Sequence, residues 1–167
     1  MAYFVIQLNS PYPPELTWTV LWDLRAHDRI IPLTRLRGAP LTATGAPADA
    51  IDVGVVFTAW TTLGPWSIAD PMRVEHWVPP QQTRPGRALI VKTGQVVTGN
   101  IEVTVAPRAD LDHGATVHWA QQIDVRGVPA ALDPLTAAVA QTAYRSVVTR
   151  LIAAAAQAPA RRQPGTH

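Results

Sequence analysis

Residues 133–156 read DPLTAAVAQTAYRSVVTRLIAAAA, and this stretch decides the architecture of the chain. Asp133 can cap a helix and Pro134 suits a first helical turn. The alanine-rich run that follows favours helix until Pro159 ends it. About 24 residues at 1.5 Å each predict a helix roughly 36 Å long, enough to cross a whole domain.

The predicted helix has one broad apolar face that needs a partner layer. On a helical wheel this face holds Leu132, Leu135, Val139, Ala143, Val147, Leu151 and Ala154. Its many alanines either allow close contact with a sheet or leave an empty space beneath the helix. The sequence alone leaves both possibilities open.

The partner layer is predicted from the chain that precedes the helix. Segments rich in Val, Ile, Thr and Trp, separated by Gly, Pro, Asn or Asp, are typical of strands. They are residues 33–37, 53–61, 72–78, 87–92, 95–105 and 115–125. Because no long helix intervenes, the strands should pair in an antiparallel meander.

The N-terminal residues add a strand and two short helices. Residues 3–8 are predicted as the first strand, Pro13 and Pro14 open a helix, and residues 26–31 form a second helical piece. The fold class is therefore α+β with the order β-α-α-β6-α. We expect a seven-stranded curved antiparallel sheet wrapped around the long C-terminal helix, with residues 1–158 as a single domain and 159–167 as a disordered tail.

Composition excludes several classes of function. The chain has no cysteine, which rules out disulfides, zinc ribbons, iron–sulfur clusters and thiol nucleophiles. Its serines form no nucleophile elbow, and its glycines form no dinucleotide or phosphate loop. The acidic loop at Asp110, Asp112 and His113 is better explained as a hairpin turn than as a metal site. We therefore expect neither cofactor nor metal.

Charge and hydropathy narrow the partners further. The net charge is only +2 and the arginines are scattered, so no basic stripe predicts nucleic-acid binding. No apolar run is long enough for a membrane span, and the first residues lack a basic leader, so we expect a cytoplasmic protein without stable membrane insertion. Yet 47% of residues are hydrophobic and only 16% charged, against roughly 25% charged in typical domains. This excess of hydrophobic residues predicts an exposed apolar surface or an apolar cavity.

Three polar residues interrupt apolar faces and favour a cavity. Strand alternation turns His76 and Gln121 inward, and the helical wheel puts Arg150 near the middle of the apolar face. Each could be satisfied locally, by a backbone carbonyl, by a neighbouring strand or by reaching solvent. Taken together, polar groups set into an apolar shell are typical of a small-molecule pocket.

The element order and several local phrases resemble the SRPBCC superfamily of START-like helix-grip domains. The phrases are DVGVVF at 52–57, TLGPW at 62–66, VEHWVPP at 74–80, KTGQVVTG at 92–99, HW at 118–119 and DPL at 133–135. This superfamily includes the major birch-pollen allergen and bacterial polyketide cyclase/dehydrase-like proteins. The resemblance implies a hydrophobic cavity between the sheet and the long helix, but no shared catalytic motif.

The leading hypothesis is binding of a small hydrophobic ligand, such as a lipid, a polyketide or an aromatic compound. The expected ligand contacts are Phe57, Met72, Val74, His76, Trp119, Gln121, Val139, Ala143, Val147 and Arg150.

Two alternatives remain open. In a metal-free aromatase, cyclase or dehydratase, His76 would move the proton, and Arg150 or Tyr144 would stabilise an enolate. In a structural or partner-binding module, such as a homodimer, the contacts would come from outward tryptophans, with Trp60, Trp66 and Trp77 as candidates.

Overall fold

The computed structural model describes residues 1–30, 34–41, 50–63, 65–110 and 113–155. Along the chain the elements are β1 (Ala2–Ser10), α1 (Pro14–Leu21), α2 (Leu24–Ile30), β2 (Thr34–Leu41), β3 (Val56–Leu63), β4 (Trp66–Val78), β5 (Gly86–Thr93), β6 (Val97–Pro107), β7 (Ala115–Val125) and α3 (Asp133–Ala154). A short 3-10 turn, Ala130–Leu132, precedes α3. The predicted order β-α-α-β6-α is confirmed.

The strands form one antiparallel sheet in the order β1-β7-β6-β5-β4-β3-β2. Consecutive strands from β2 to β7 are neighbours, as short turns require, and β1 joins beside β7. The edges are therefore β1 and β2. The predicted α+β helix-grip architecture is confirmed, with α3 packed on one face of the sheet.

Helix α3 is held at both its buried C-terminal half and its N-terminal end. Val148, Leu151 and Ile152 are buried against β1, α1 and α2. Near the middle of the helix, the Gln141 side-chain amide donates a hydrogen bond of 2.7 Å to the backbone carbonyl of Val5. At the start of the helix, Asp133 forms an ion pair with the N-terminal amino group.

The predicted apolar face of α3 is only partly correct. Leu151 is buried and Val147 is half-buried, but Leu135 and Val139 are each 62% exposed. The buried side is rotated toward Tyr144, Val148 and Leu151 because alanines carry too little hydrophobic area to fix which face turns inward. Leu132 is exposed as well, and Arg150, predicted on the apolar face, lies on the solvent side.

A β-bulge in β4 corrects the predicted facing of its second half. Val74 pairs with Ile90, but His76 pairs with Leu89, so Glu75 is an extra residue on β4. The extra residue reverses the alternation. His76 consequently lies exposed on the outer face, and Trp77 turns inward, the reverse of both predictions.

Strand β4 also begins earlier than predicted, at Trp66 rather than Met72. Pro71 lies within this earlier part of the strand, although proline has no N–H to give to a ladder. In the structure Pro71 lies beside Thr58 of β3, and pairing with β5 starts only at Met72. The first half of β4 therefore pairs with β3 on one side only. A proline is tolerated there as it is on an edge strand.

Four indole rings close one end of the space between the sheet and the helices. We call Trp18, Trp22, Trp77 and Trp119 the tryptophan cluster. Its neighbouring rings have centroids 4.8 Å to 6.2 Å apart, and Trp119 continues the contact to Tyr144 at 5.8 Å. Trp18, Trp22 and Trp119 belong to the core, since each is at most 9% exposed.

Candidate functional site

A cavity of about 270 Å³ lies between α3, the two short helices and the inner face of the sheet. An apolar cavity of roughly 150 Å³ can hold benzene, so this one has room for a molecule of about two rings. Most of its wall is apolar: Trp22, Leu24, Phe57, Ala59, Met72, Ile90, Ile101, Trp119, Ala143 and Val147. The polar side chains at the wall are His27, Thr61, Asp70 and Tyr144.

Strand alternation explains which sheet residues reach the cavity. Phe57, Ala59 and Thr61 follow one another at every second position of β3, and Asp70 and Met72 do the same on β4. Residues at every second position of a strand share one face. The side chains that approach from β3 and α3 at Ala59, Thr61 and Ala143 are small, and this leaves the space that larger residues would fill.

A buried ion pair joins Asp70 of β4 to Lys92 of β5. The Lys92 side chain is 2% exposed, and its ammonium donates a hydrogen bond to Oδ2 of Asp70. It also lies 3.9 Å from the sulfur of Met72. The other carboxylate oxygen of Asp70, Oδ1, is buried and has no hydrogen-bond partner. Asp70 is therefore a carboxylate at the cavity wall with unused acceptor capacity.

The charge of Lys92 is maintained despite its burial. Burial disfavours the ammonium, but interaction with Tyr144, the negative charge of Asp70 and the hydrogen bond to Asp70 outweigh that cost and raise the pKa of Lys92 above its ordinary value. Lys92 therefore stays protonated at neutral pH. A protonated amine cannot act as a nucleophile, so Schiff-base chemistry at this lysine is disfavoured.

Gln121 lies fully buried on the inner face of β7, next to Trp119. The indole N–H of Trp119 donates a hydrogen bond of 3.0 Å to Oε1 of Gln121. An indole nitrogen can only donate, and this fixes the orientation of the amide. The Gln121 amide nitrogen is then left buried without a partner, as is the indole nitrogen of Trp22.

His27 of α2 brings a titratable ring to the cavity. Its Nε2 lies 2.6 Å from the carbonyl oxygen of Leu21. A carbonyl only accepts, so Nε2 carries the proton and Nδ1 is the basic nitrogen. Burial lowers the pKa of His27, against smaller opposing effects of the Leu21 carbonyl and of Asp23. The ring is therefore neutral at pH 7.

The structure brings half of the ten predicted ligand contacts together at the cavity. Phe57, Met72, Trp119, Ala143 and Val147 line the cavity, as does Tyr144, which the enzyme alternative required. Gln121 lies behind them, beside Trp119. Val74 is fully buried in the core but is not part of the wall. That these residues contact a ligand stays a prediction.

Besides Val74 and Gln121, three predicted site residues do not line the cavity. The β4 bulge turns His76 outward, and Arg150 and Val139 lie on the exposed side of α3. Neither the predicted proton-transfer role of His76 nor the predicted enolate contact of Arg150 has a geometric basis.

The sequence analysis missed Asp70, Lys92 and His27. A signal existed for Lys92, the only lysine of the chain, because it is in phase with the buried Ala88 and Ile90 on β5. Asp70 is likewise in phase with Met72 and Val74, but the predicted strand started too late to include it. For His27 no periodic signal was available, since α2 has only seven residues.

Metal and membrane features can be stated for the described part of the chain. Among the residues that the structure describes, which leave out Asp112, no three His, Asp or Glu side chains are grouped closely enough to hold a metal ion. Within the same ranges no helix combines the length and apolar character needed to cross a bilayer.

Comparison with solved structures finds many proteins of the same architecture. The Zhui aromatase/cyclase from Streptomyces sp. R1128 is 13% identical, with 98% of each chain covered and a TM-score of 0.62. A START superfamily protein from Mycobacterium smegmatis is 12% identical, covering 94% of this chain and 99% of the other, with a TM-score of 0.64. A point mutant of norcoclaurine synthase from Thalictrum flavum, bound to a transition-state analogue, is 12% identical, covering 90% and 93%, with a TM-score of 0.55.

These similarities concern the fold, because the identities are too low to carry an activity. No family model and no curated protein matches the sequence. The chain therefore has a START-like helix-grip fold, the architecture that its sequence resemblance implied.

Proposed function

We propose that this protein binds a small hydrophobic molecule in the cavity between the sheet and α3. The single observation that carries the proposal is the cavity itself, about 270 Å³ and lined mainly by apolar side chains. Empty apolar space lowers stability, because the surrounding side chains lose packing contacts. A ligand that fills the space would restore those contacts, and hydrophobic burial would hold it there.

A substitution that obstructs the cavity tests the proposal. Ala143 lies on the cavity wall yet is solvent-exposed on one side, so Ala143→Trp should narrow the entrance without disturbing the buried core. We expect the apparent affinity for 2-naphthol, measured by calorimetry, to fall at least tenfold. Ala138→Trp, an exposed position of the same helix that does not line the cavity, is the matched control and should bind as the unaltered protein does.

Binding that is unaffected by Ala143→Trp would place the ligand elsewhere. If neither naphthalene nor 2-naphthol, nor single-ring and medium-chain analogues, shifts the melting temperature of the unaltered protein, the binding proposal is wrong.

A second candidate function, proton transfer on a bound carbonyl compound, is favoured by His27. This ring lines the cavity in its neutral form, with Nδ1 as the basic nitrogen. A base with a pKa below neutrality in a mostly apolar cavity could remove a proton next to a ligand carbonyl. Tyr144, on the same wall, could donate a hydrogen bond to the oxygen on which the negative charge develops.

Hydrogen–deuterium exchange in a test ketone separates this candidate from simple binding. The protein should accelerate exchange of the α-protons of 2-tetralone in deuterated buffer, and His27→Gln should remove the acceleration while leaving 2-tetralone bound. Exchange no faster than in buffer alone would exclude catalysis of this kind.

A further inference from the structure

The Asp70–Lys92 ion pair determines the chemical class of ligand that the cavity accepts. We infer that this class is uncharged compounds of about two rings that carry a hydrogen-bond donor, such as a hydroxyl group, which Asp70 accepts. The inference rests on the proposed binding function and deepens it.

Asp70 has the capacity to accept a further hydrogen bond. An ionised carboxylate offers about four lone-pair sites, and Lys92 uses one of them at Oδ2. Oδ1 is buried with no partner. Leaving a buried acceptor unsatisfied is costly, so a ligand that brings a donor gains more than one that brings only hydrocarbon. The Asp70 side chain is 16% exposed and the residue lines the cavity, whereas Oδ1 itself is closed to solvent. A ligand donor therefore reaches Oδ1 through a small rotation of the carboxylate toward the cavity.

The balance of charge at the wall selects against charged ligands. Lys92 neutralises Asp70, and Lys92 itself is not part of the wall. A ligand carboxylate would therefore meet the Asp70 carboxylate first and would be repelled. A ligand ammonium would meet Asp70, whose negative charge Lys92 already neutralises, and the described wall has no second carboxylate to pair with the ammonium. In both cases the charge would be buried without a partner of its own.

A second buried polar atom without a partner, on a residue of the described wall, fits the same class. The Trp22 indole nitrogen is buried without a partner, and Trp22 lines the cavity. An indole nitrogen donates and needs an acceptor, which a hydroxyl or carbonyl oxygen supplies. An uncharged hydroxyl-bearing ligand offers both a donor and an acceptor, whereas an ammonium offers only donors.

A series of probes built on one scaffold tests the inference. Calorimetry at pH 7 would compare naphthalene, 2-methoxynaphthalene, 2-naphthol, 2-naphthoate and 2-naphthylmethylammonium. We expect 2-naphthol to bind about tenfold more tightly than naphthalene and 2-methoxynaphthalene, because a hydrogen bond to a charged acceptor exceeds a neutral one. The two ionic probes should bind at least tenfold more weakly than 2-naphthol.

The variant that tests the role of the pair is Asp70→Asn combined with Lys92→Met. Both substitutions keep the approximate shape of the side chains and remove both charges, so no buried ion is left alone. The preference for 2-naphthol over 2-methoxynaphthalene should fall to less than twofold. The matched control removes an exposed pair on the outer face of the same strand, Arg73→Met with Glu75→Gln, and should keep the full preference.

The outcomes separate this inference from the binding proposal. If 2-methoxynaphthalene or 2-naphthoate binds as tightly as 2-naphthol, the inference is overturned although the cavity binds ligands. If no probe binds, the proposed function fails as well. Should the double variant not fold, the probe series on the unaltered protein decides the question by itself.

Discussion

The two ends of the space between the sheet and the helices share the same layers but differ in packing. At the tryptophan cluster a methyl group has no room: a Cβ added to Gly86 would lie 2.9 Å from the Trp18 ring and 2.5 Å from Pro80. At the other end, beside Phe57 and Ala143, a cavity of about 270 Å³ remains. The difference shows that the cavity lies where the small side chains Ala59, Thr61 and Ala143 leave space, since the backbone architecture is common to both ends.

The largest expected effect on stability comes from removing a ring from the tryptophan cluster. Trp18 is 6% exposed and contacts two indole rings of the cluster. Trp18→Ala should lower the free energy of unfolding by about 3–5 kcal/mol, as large-to-small core substitutions do. Urea denaturation measures this. Tyr3→Ala, at a side chain that is 57% exposed, is the control and should cost no more than about 0.5 kcal/mol. Equal costs would contradict tight packing at the tryptophan cluster.

A slightly smaller effect is expected at the cavity end from breaking the ion pair. Lys92→Met leaves Asp70 without its counter-charge and should lower the free energy of unfolding by about 3 kcal/mol. The double variant with Asp70→Asn should recover most of that loss, because it removes both charges. The two variants are compared by urea denaturation at pH 7. A double variant as unstable as Lys92→Met would mean that the pair is needed for folding rather than for ligand selection.

Deletion of Glu75 tests how the bulge in β4 turns Trp77 toward the tryptophan cluster. Removing the extra residue of the bulge leaves Val74 inward, His76 outward and Trp77 inward, which is regular alternation. We expect a folded protein that loses only about 1 kcal/mol of stability. Deletion of the exposed Glu102 from the regular strand β6 is the control. It should prevent folding, because a one-residue slip turns the following buried side chains outward. Near-ultraviolet circular dichroism of the tryptophans distinguishes the outcomes.

The smallest effect concerns pH at the cavity end. The pKa of His27 is lowered by burial, so below the ordinary value of 6.5 the unfolded chain takes up a proton before the folded one does. The contribution of neutral His27 to the free energy of unfolding is therefore fully present above pH 6.5, and it is lost as the pH falls toward the lowered pKa. Melting temperatures between pH 7.5 and 5.5 should decline less in His27→Gln than in the unaltered protein. Parallel declines would contradict the lowered pKa.

Sequence reasoning succeeded where a pattern repeats along the chain. β7 was predicted with its observed bounds, 115–125, because alternation runs through it without interruption. The cavity-facing Phe57, Met72, Trp119, Ala143 and Val147 were also among the predicted contacts. These positions follow from which face of a strand or helix is apolar.

The errors lie where one residue breaks a pattern. Glu75 is an extra residue in β4 that the alternation of apolar and polar residues does not predict, and it reverses the facing of His76 and Trp77. Alanines on α3 left the rotation of the helix undetermined, so Arg150 was assigned to the wrong side. The partnership of Asp70 with Lys92 depends on the pairing of two strands whose residues are far apart in sequence, and the pairing register is not visible from either strand alone.

The hydrogen bond from Gln141 to the carbonyl of Val5 has a consequence for how copies of this protein behave in a crowded solution. Strand β1 is an outer strand of nine residues, and an outer strand can recruit the backbone of another molecule and start a growing aggregate. By occupying one of the carbonyls that such a strand would use, α3 discourages this recruitment. The helix that covers the cavity therefore also helps to prevent aggregation through β1.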